Sequence, residues 1–179
     1  MTEKEEVGIH GQPKGQLLLV DHQSIWARIY QNEVSRIQAS IEVQDLLFFH
    51  IGSTAVPALL AKPIIDIAVV FRDANQLWML ADGLKKIGYT FRGTHEEPNH
   101  WYFVLDRDKL RLFHVHAWLE GSAGLDRHLE FVQQLINFPA LRDRYAQLKL
   151  EWAEKANWNK QLYSSQKDAF VQEVLDWTA

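Results

Sequence analysis

From Trp26 the apolar positions step through Tyr30, Val34, Ile37 and Ile41 at spacings of three and four, which predicts one face of a helix. The period then changes. LLFFHI (46–51) is a short apolar run that stops at Gly52, and PIIDIAVVF (63–71) is compact and β-branched, so both predict strands. QLLLV (16–20) reads as a further β-capable segment. Leu77, Leu80, Leu84 and Ile87 restore the helical period and end at Gly88, placed to be a C′ glycine. YTFR, HWYFVLD and LRLFHVHAW predict three more strands, the last two joined across the polar turn DRDK as a hairpin. Beyond them the pattern is helical. Leu125, Leu129, Val132 and Ile136 form one stripe, and Pro139 suits the first turn of the next helix, whose stripe is Leu141, Tyr145, Leu148 and Trp152. Ser165 is placed to cap a last helix carrying Phe170, Val174 and Trp177. The expected class is α+β: a mixed β-sheet flanked by helices, with a helical C-terminal tail.

One strand breaks the apolar rule. Side chains alternate across a strand, so Ile65, Ile67, Val69 and Phe71 share one face and should meet the helices. Ile64, Asp66, Ala68 and Val70 share the other. An unpaired carboxylate in a core is costly enough to protonate, so Asp66 should face water, a cation or a hydrogen-bond partner. The strand RLFHVHAW is similar: Phe113, Val115 and Ala117 lie on one face, and Leu112, His114, His116 and Trp118 on the other. Two residues of strand separate the imidazoles by about 6.6 Å along the chain. Should the two strands be neighbours, Asp66, His114 and His116 would converge.

Upstream of Asp66 stands Gly52-Ser53-Thr54. A strand ending at Gly52 and a short helix over residues 53–60 would aim free backbone N–H groups at one spot, as helix N-termini do for phosphate. Glycine permits close approach, and Ser53 and Thr54 add hydroxyl donors. Lys62 lies nearby in sequence and is either a phosphate contact or a solvated loop lysine. Taken singly, a Gly-Ser-Thr turn, a loop-edge aspartate and an H-x-H strand are each commonplace. Their order gives the signal: strand, Gly-Ser turn, short segment, strand bearing an acid.

The totals narrow the setting. At 179 residues the chain can bury a core as one domain without staples. There is no cysteine, which excludes disulfides and thiolate metal sites and makes a reducing cytoplasm the expected compartment. A formal net charge of −4 argues against broad nucleic-acid binding. No apolar run approaches the roughly 20 residues of a membrane helix, so no membrane partner is expected. MTEKEEVGIHGQPKG has no apolar signal-peptide region. The expected organisation is a flexible leader over 1–15 and a single domain over 16–179.

The segments HIGSTAVP, AKPIIDI, HVH, RHLEF, YAQLK and KDAFVQEVL, in that order, resemble the GrpB family from about Leu17 to the C-terminus. The resemblance implies the nucleotidyltransferase fold of the polymerase-beta superfamily. There a Gly-Ser turn opens a helix, the next strand presents an Asp-x-Asp or Asp-x-Glu pair for metal, and a later strand gives a third carboxylate. Carried over, Gly52 and Ser53 match the turn and Asp66 the first acid. Divalent metal, Mg²⁺ or Mn²⁺, is the cofactor this implies, and a nucleotide or other phosphorylated small molecule the partner. Family members fused to dephospho-coenzyme A kinase imply nucleotide-related chemistry. Lys149 and Lys167 match lysines of the family's tail, although a helical lysine is ordinarily a surface charge.

This chain departs from the superfamily pattern. Ala68 occupies the second acid position, His114 and His116 stand where a later carboxylate is expected, and Phe49 replaces an acid common before the His-Ile-Gly-Ser-Thr block. EFVQ lacks the arginine and acid expected after its phenylalanine. Glu96 and Glu97 could supply an acid from a loop, or be solvated. One carboxylate with two imidazoles suits Mn²⁺, Fe²⁺ or Zn²⁺ better than Mg²⁺. Three readings follow. The first is metal-dependent nucleotidyl or phosphoryl transfer, with Asp66, His114 and His116 as catalytic or metal-ligating groups and Gly52, Ser53, Thr54 and Lys62 holding phosphate. The second is a nucleotide- or phosphate-binding module without turnover. The third is a mononuclear Asp/His metal site serving hydrolysis or redox work.

Overall fold

The alternation of the strands and the stripes of the helices produce a sheet covered on both faces. The computed structural model describes residues 10–43, 45–94, 99–159, 162–163 and 167–175. Its elements are β1 (Gln12–Pro13), α1 (Ile25–Ser40), β2 (Leu47–Ile51), a 3₁₀ turn (Ser53–Ala55), β3 (Ile65–Phe71), α2 (Ala74–Lys86), β4 (Thr90–Thr94), β5 (His100–Arg107), β6 (Leu110–Leu119), α3 (Ala123–Asn137), α4 (Pro139–Lys155) and α5 (Lys167–Leu175). The 6-stranded sheet runs β2-β3-β6-β5-β4, with β1 pairing against the start of β6. The β3–β6 pair is parallel and the others are antiparallel. The α+β class and the helical C-terminal region are as the sequence predicts.

Local chemistry explains the joints. Gly88 takes φ 93°, with its N–H on the Lys85 carbonyl and the Tyr89 N–H on that of Leu84 at 2.9 Å. That is a Schellman close, and it stops α2 where the pattern placed the stop. Asp73 caps the start of α2, its carboxylate accepting from the Gln76 N–H at 2.9 Å. The β5–β6 hairpin turns through Asp108 and Lys109, both at positive φ, the twist a two-residue hairpin favours.

The two faces of β3 and β6 separate as the alternation requires. Ile65, Ile67, Val69, Phe71, Phe113, Val115 and Ala117 join Trp26, Ile37, Leu80 and Leu84 in the core beneath α1 and α2. On the opposite face Ala68, Val70 and Trp118 pack with Leu125. The helical tail adds a third cluster built on Leu135, Tyr145, Trp152 and Phe170. Asp66 lies on that second face, between the sheet and α3 and α4.

Three expectations are corrected. Residues 16–20 do not form a strand; Val20 makes a single bridge to Ala61, and Leu17 packs with the helical tail. The helix expected over 53–60 reduces to the Ser53–Ala55 turn, since Pro57 is followed by Ala58 at φ 61°. Residues 10–15 do not hang free of the domain: Gln12 is buried and pairs with Arg111, and the Gly11 N–H reaches the Pro63 carbonyl. Glu96, Glu97, Ser165 and Trp177 lie outside the described residues, as does the side chain of Lys167. Among the described residues no helix is long and apolar enough to cross a membrane.

Candidate functional site

Parallel pairing of β3 with β6 sets Asp66 directly beside His114 and Ala68 beside His116. One cross-strand register therefore makes the whole cluster. The Asp66 Oδ1 lies 2.7 Å from His114 Nδ1 and 3.8 Å from His116 Nε2. Ligand atoms of the three residues all fall within 4.8 Å of one another. Ala68, the residue paired with His116, is fully buried and brings no polar group to the cluster. Side-chain exposures of 26%, 18% and 15% for Asp66, His114 and His116 are those of groups lining an opening, neither sealed nor on the outer surface.

The Gly-Ser turn lies directly against the carboxylate. Gly52 has φ 72° and ψ −172°, a conformation close to glycine-only. A Cβ added there would overlap the Asp66 carboxylate and come within 3.1 Å of its Cγ. Glycine is thus required both by the backbone and by the approach of Asp66.

These groups border one cleft of about 350 Å³, lined among others by Gly52, Ser53, Lys62, Asp66, His116 and Lys149. A hollow of about 390 Å³ under Trp78 and Phe91 is mainly apolar and gathers no comparable set of polar groups. In the Asp66 cleft, the Lys149 Nζ donates to Ser53 Oγ at 2.7 Å and to the Leu60 carbonyl at 2.6 Å. It also lies 4.5 Å from the centre of the Tyr145 ring, and the Lys62 Nζ lies 4.5 Å from that of Tyr163. Lys149, ordinarily expected at the surface, is buried.

Thr54 is spent on the fold. Its hydroxyl lies 3.0 Å from His50 Nε2 and donates to the Ile64 carbonyl at 3.4 Å, and the residue is buried. Its hydroxyl proton is thus directed into the fold, while the residue itself still borders the cleft. Ser53 and the Gly52–Ser53 backbone stay at the cleft, and a 3-residue turn adds little of the helix dipole first expected there.

His100, which the sequence reading passed over, is buried beneath the cluster with its Nε2 3.0 Å from His116 Nδ1. His116 therefore turns Nε2 toward Asp66. Burial lowers the His116 pKa to about 4, even though Asp66 opposes the shift, so the ring is neutral near pH 7. For Asp66 burial acts upward, but hydrogen bonds and charge from His114 and His116 outweigh it and hold the carboxyl below its ordinary range.

A single divalent cation fits this donor set: one carboxylate and two imidazoles suit borderline ions. The oxygen-only pair expected for two Mg²⁺ ions does not, since Asp66 is the one acid lining the cleft among the described residues.

Comparison with known proteins gives the family and agrees with the fold. The family model described as GrpB protein matches residues 16–176. The chain belongs to the GrpB family. UPF0157 protein BH1888 of Halalkalibacterium halodurans is 31% identical over 159 residues, 89% of this chain and 80% of the relative. The crystal structure of conserved protein GrpB from Enterococcus faecalis superposes with a TM-score of 0.79 at 29% identity, covering 88% of this chain and 94% of that one. Cid1 poly(U) polymerase, solved with MgGTP bound, superposes at a TM-score of 0.52 and 11% identity over 75% of this chain and 44% of the polymerase. At that identity the likeness is one of fold, and it gives this GrpB protein a nucleotidyltransferase-like architecture.

Proposed function

We propose that this GrpB protein binds the phosphates of a nucleotide or another phosphorylated small molecule in the Asp66 cleft beside one divalent cation, and transfers a nucleotidyl or phosphoryl group from it. The observation that carries the reading is convergence: the Gly52–Ser53 turn, Asp66, His116 and two lysines border the same 350 Å³ space. Lys62 and Lys149 favour a polyanion, and Lys149 fixes Ser53 at the rim. Asp66, ionised at all physiological pH, and neutral His116 are the groups to hold a cation. Bound there, the ion would neutralise phosphate charge and polarise a phosphoryl oxygen.

Binding without turnover is a second reading, favoured by one observation. Ala68 is fully buried at the position where a second acid would stand. Thermal melts against a panel of nucleoside triphosphates and coenzyme A precursors, with and without Mn²⁺, test the pocket. A ligand at 100 times its Kd adds about 2.7 kcal/mol, a rise of roughly 5–10 °C for a chain of this size. Asp66→Asn should lose the Mn²⁺-dependent part of the rise. Pyrophosphate or phosphate release across the same panel then separates the two readings. A panel in which no phosphorylated compound shifts the melt overturns both.

A further inference from the structure

Past His114 the face that holds Asp66 runs on across β5 and β4. Cross-strand partners share a face, and Tyr102 stands opposite His116, Val104 opposite His114 and Asp106 opposite Arg111. Arg92 of β4 joins them, its Nη2 3.8 Å from Asp106 Oδ2. The clusters that α3, α4 and α5 build on this side of the sheet include no residue of β4 or β5. The face opens there, and the side chains of Arg92 and Lys14 are 49% and 51% exposed.

Three cations meet at one carboxylate. Arg111 grips both oxygens of Asp106 through Nε and Nη2, and its Nη1 lies 3.5 Å from His114 Nε2. Lys14 arrives from the N-terminal segment. Gln12 pairs with Arg111, and the Lys14 N–H donates to the Lys109 carbonyl at 3.0 Å. That anchorage brings the Lys14 Nζ to 2.9 Å from Asp106 Oδ2. Arg111 alone satisfies the carboxylate, and half-exposed ion pairs add little to stability, so bracing does not account for Lys14 and Arg92. The group keeps two positive charges in a chain whose net charge is −4. A phosphomonoester carries close to two negative charges at pH 7. Among the described residues Arg92 makes no hydrogen bond, which leaves its fork of donors to meet such a group.

We propose that Arg92 and Lys14, backed by the charge of Arg111, bind the phosphate of a second substrate, a small phosphomonoester that accepts the transferred group; the acceptor role rests on the function proposed above. The Asp66 cluster then lies between two cationic flanks. Lys62 and Lys149 border it on the Gly52–Ser53 side, and Arg92, Arg111 and Lys14 on the side of β5 and β4. Two strand spacings, about 10 Å, separate His114 on β6 from Arg92 on β4, a span for a sugar phosphate. In the transfer a hydroxyl oxygen of that molecule bonds to phosphorus as the bridging P–O bond of the nucleotide breaks. The leaving phosphate or pyrophosphate takes the electron pair, and the hydroxyl proton passes to solvent water.

NMR titrations of the ¹⁵N-labelled full chain with inorganic phosphate and with glucose 6-phosphate, without metal and at constant ionic strength, test the site. Backbone amides of β4 and β5 and the Arg92 Nε–H should shift and saturate with either anion. The double variant Lys14→Gln/Arg92→Gln should weaken both affinities at least about tenfold, the worth of one charge-assisted hydrogen bond. Lys14→Arg/Arg92→Lys, which keeps the charge, should recover most of that loss. Both side chains are half exposed, so neither variant disturbs the core. No saturable shift in β4 and β5, or an unchanged affinity in the Gln variant, overturns the proposal. A nucleoside triphosphate added with Mn²⁺ then tests the acceptor role. Glucose 6-phosphate should keep its place on β4 and β5, and its displacement by the nucleotide overturns that role. If no nucleotide binds at all, the function proposed above fails, and the phosphate titrations still decide the site.

Discussion

Gly52→Ala tests the contact that joins the turn to the carboxylate. Two costs are built into the position. The backbone sits at φ 72° and ψ −172°, where a side chain adds roughly 1–3 kcal/mol of strain. The new Cβ would also displace the Asp66 carboxylate, against which it would be built. Moving that carboxylate breaks its 2.7 Å bond with His114, a charge-assisted contact of about 1.5–3 kcal/mol. The expected loss is about 3–5 kcal/mol, read as a lower urea midpoint at unchanged slope. Gly121→Ala is the control. It has a similar φ of 79° with nothing within 4 Å of the added Cβ, and should cost only about 1–2 kcal/mol of backbone strain. A double-mutant cycle with Asp66→Ala isolates the overlap, which disappears once the carboxylate is gone. If Gly52→Ala costs no more than Gly121→Ala, and the cycle shows no coupling, Asp66 does not lie against the turn and the site as described fails.

Lys149→Met should destabilise by about 2–4 kcal/mol in urea, because the Leu60 carbonyl and Ser53 lose a buried cationic donor; a change below about 0.5 kcal/mol would mean that the lysine is solvated after all. Thr54→Val should cost about 1–3 kcal/mol by removing the bridge from His50 to the Ile64 carbonyl. It should leave the affinity for any phosphorylated ligand unchanged, and a tenfold loss measured by calorimetry would show that the Thr54 hydroxyl contacts the ligand. His50 and His116 both have pKa values lowered to about 4, chiefly by burial, so the unfolded chain binds protons first as pH falls below about 6.5. Stability should therefore drop by about 2 kcal/mol per group between pH 7 and pH 5, and His50→Gln should remove about half of that slope. A flat profile of urea midpoints over that range would contradict the burial of both rings. Below pH 4 the depressed Asp66 carboxyl should extend the loss in the same direction.

Much of the site was legible because it depends on period-two alternation. That rule put Asp66 on the less apolar face of β3 and both histidines on one face of β6, and the structure keeps those faces. Their meeting was not legible. It needs β3 and β6 to be parallel neighbours in a register that pairs Asp66 with His114, and no local pattern encodes a pairing between strands so far apart in sequence. Lys149 carries a signal in its spacing: it falls four residues after Tyr145 and three before Trp152, on the stripe that packs inward. A lysine's usual solvation argued the other way, and only the acceptors at Ser53 and Leu60 explain its burial. The opposite error occurred at 16–20, where an apolar run with strand composition packs by its side chains instead of pairing its backbone. His100 was reachable only through the register of the predicted β5–β6 hairpin, which sets it opposite Trp118 and within reach of His116.

The central claim is that one cleft holds both a cation and the phosphates of a ligand. A crystal of the full chain soaked with Mn²⁺ and a non-hydrolysable nucleoside triphosphate tests it most directly, because manganese is located by its anomalous signal. The account predicts manganese against Asp66 and His116, with phosphate oxygens completing its shell and reaching Ser53 and Lys149. Manganese and phosphate bound elsewhere, with that cleft filled by water alone, would contradict it.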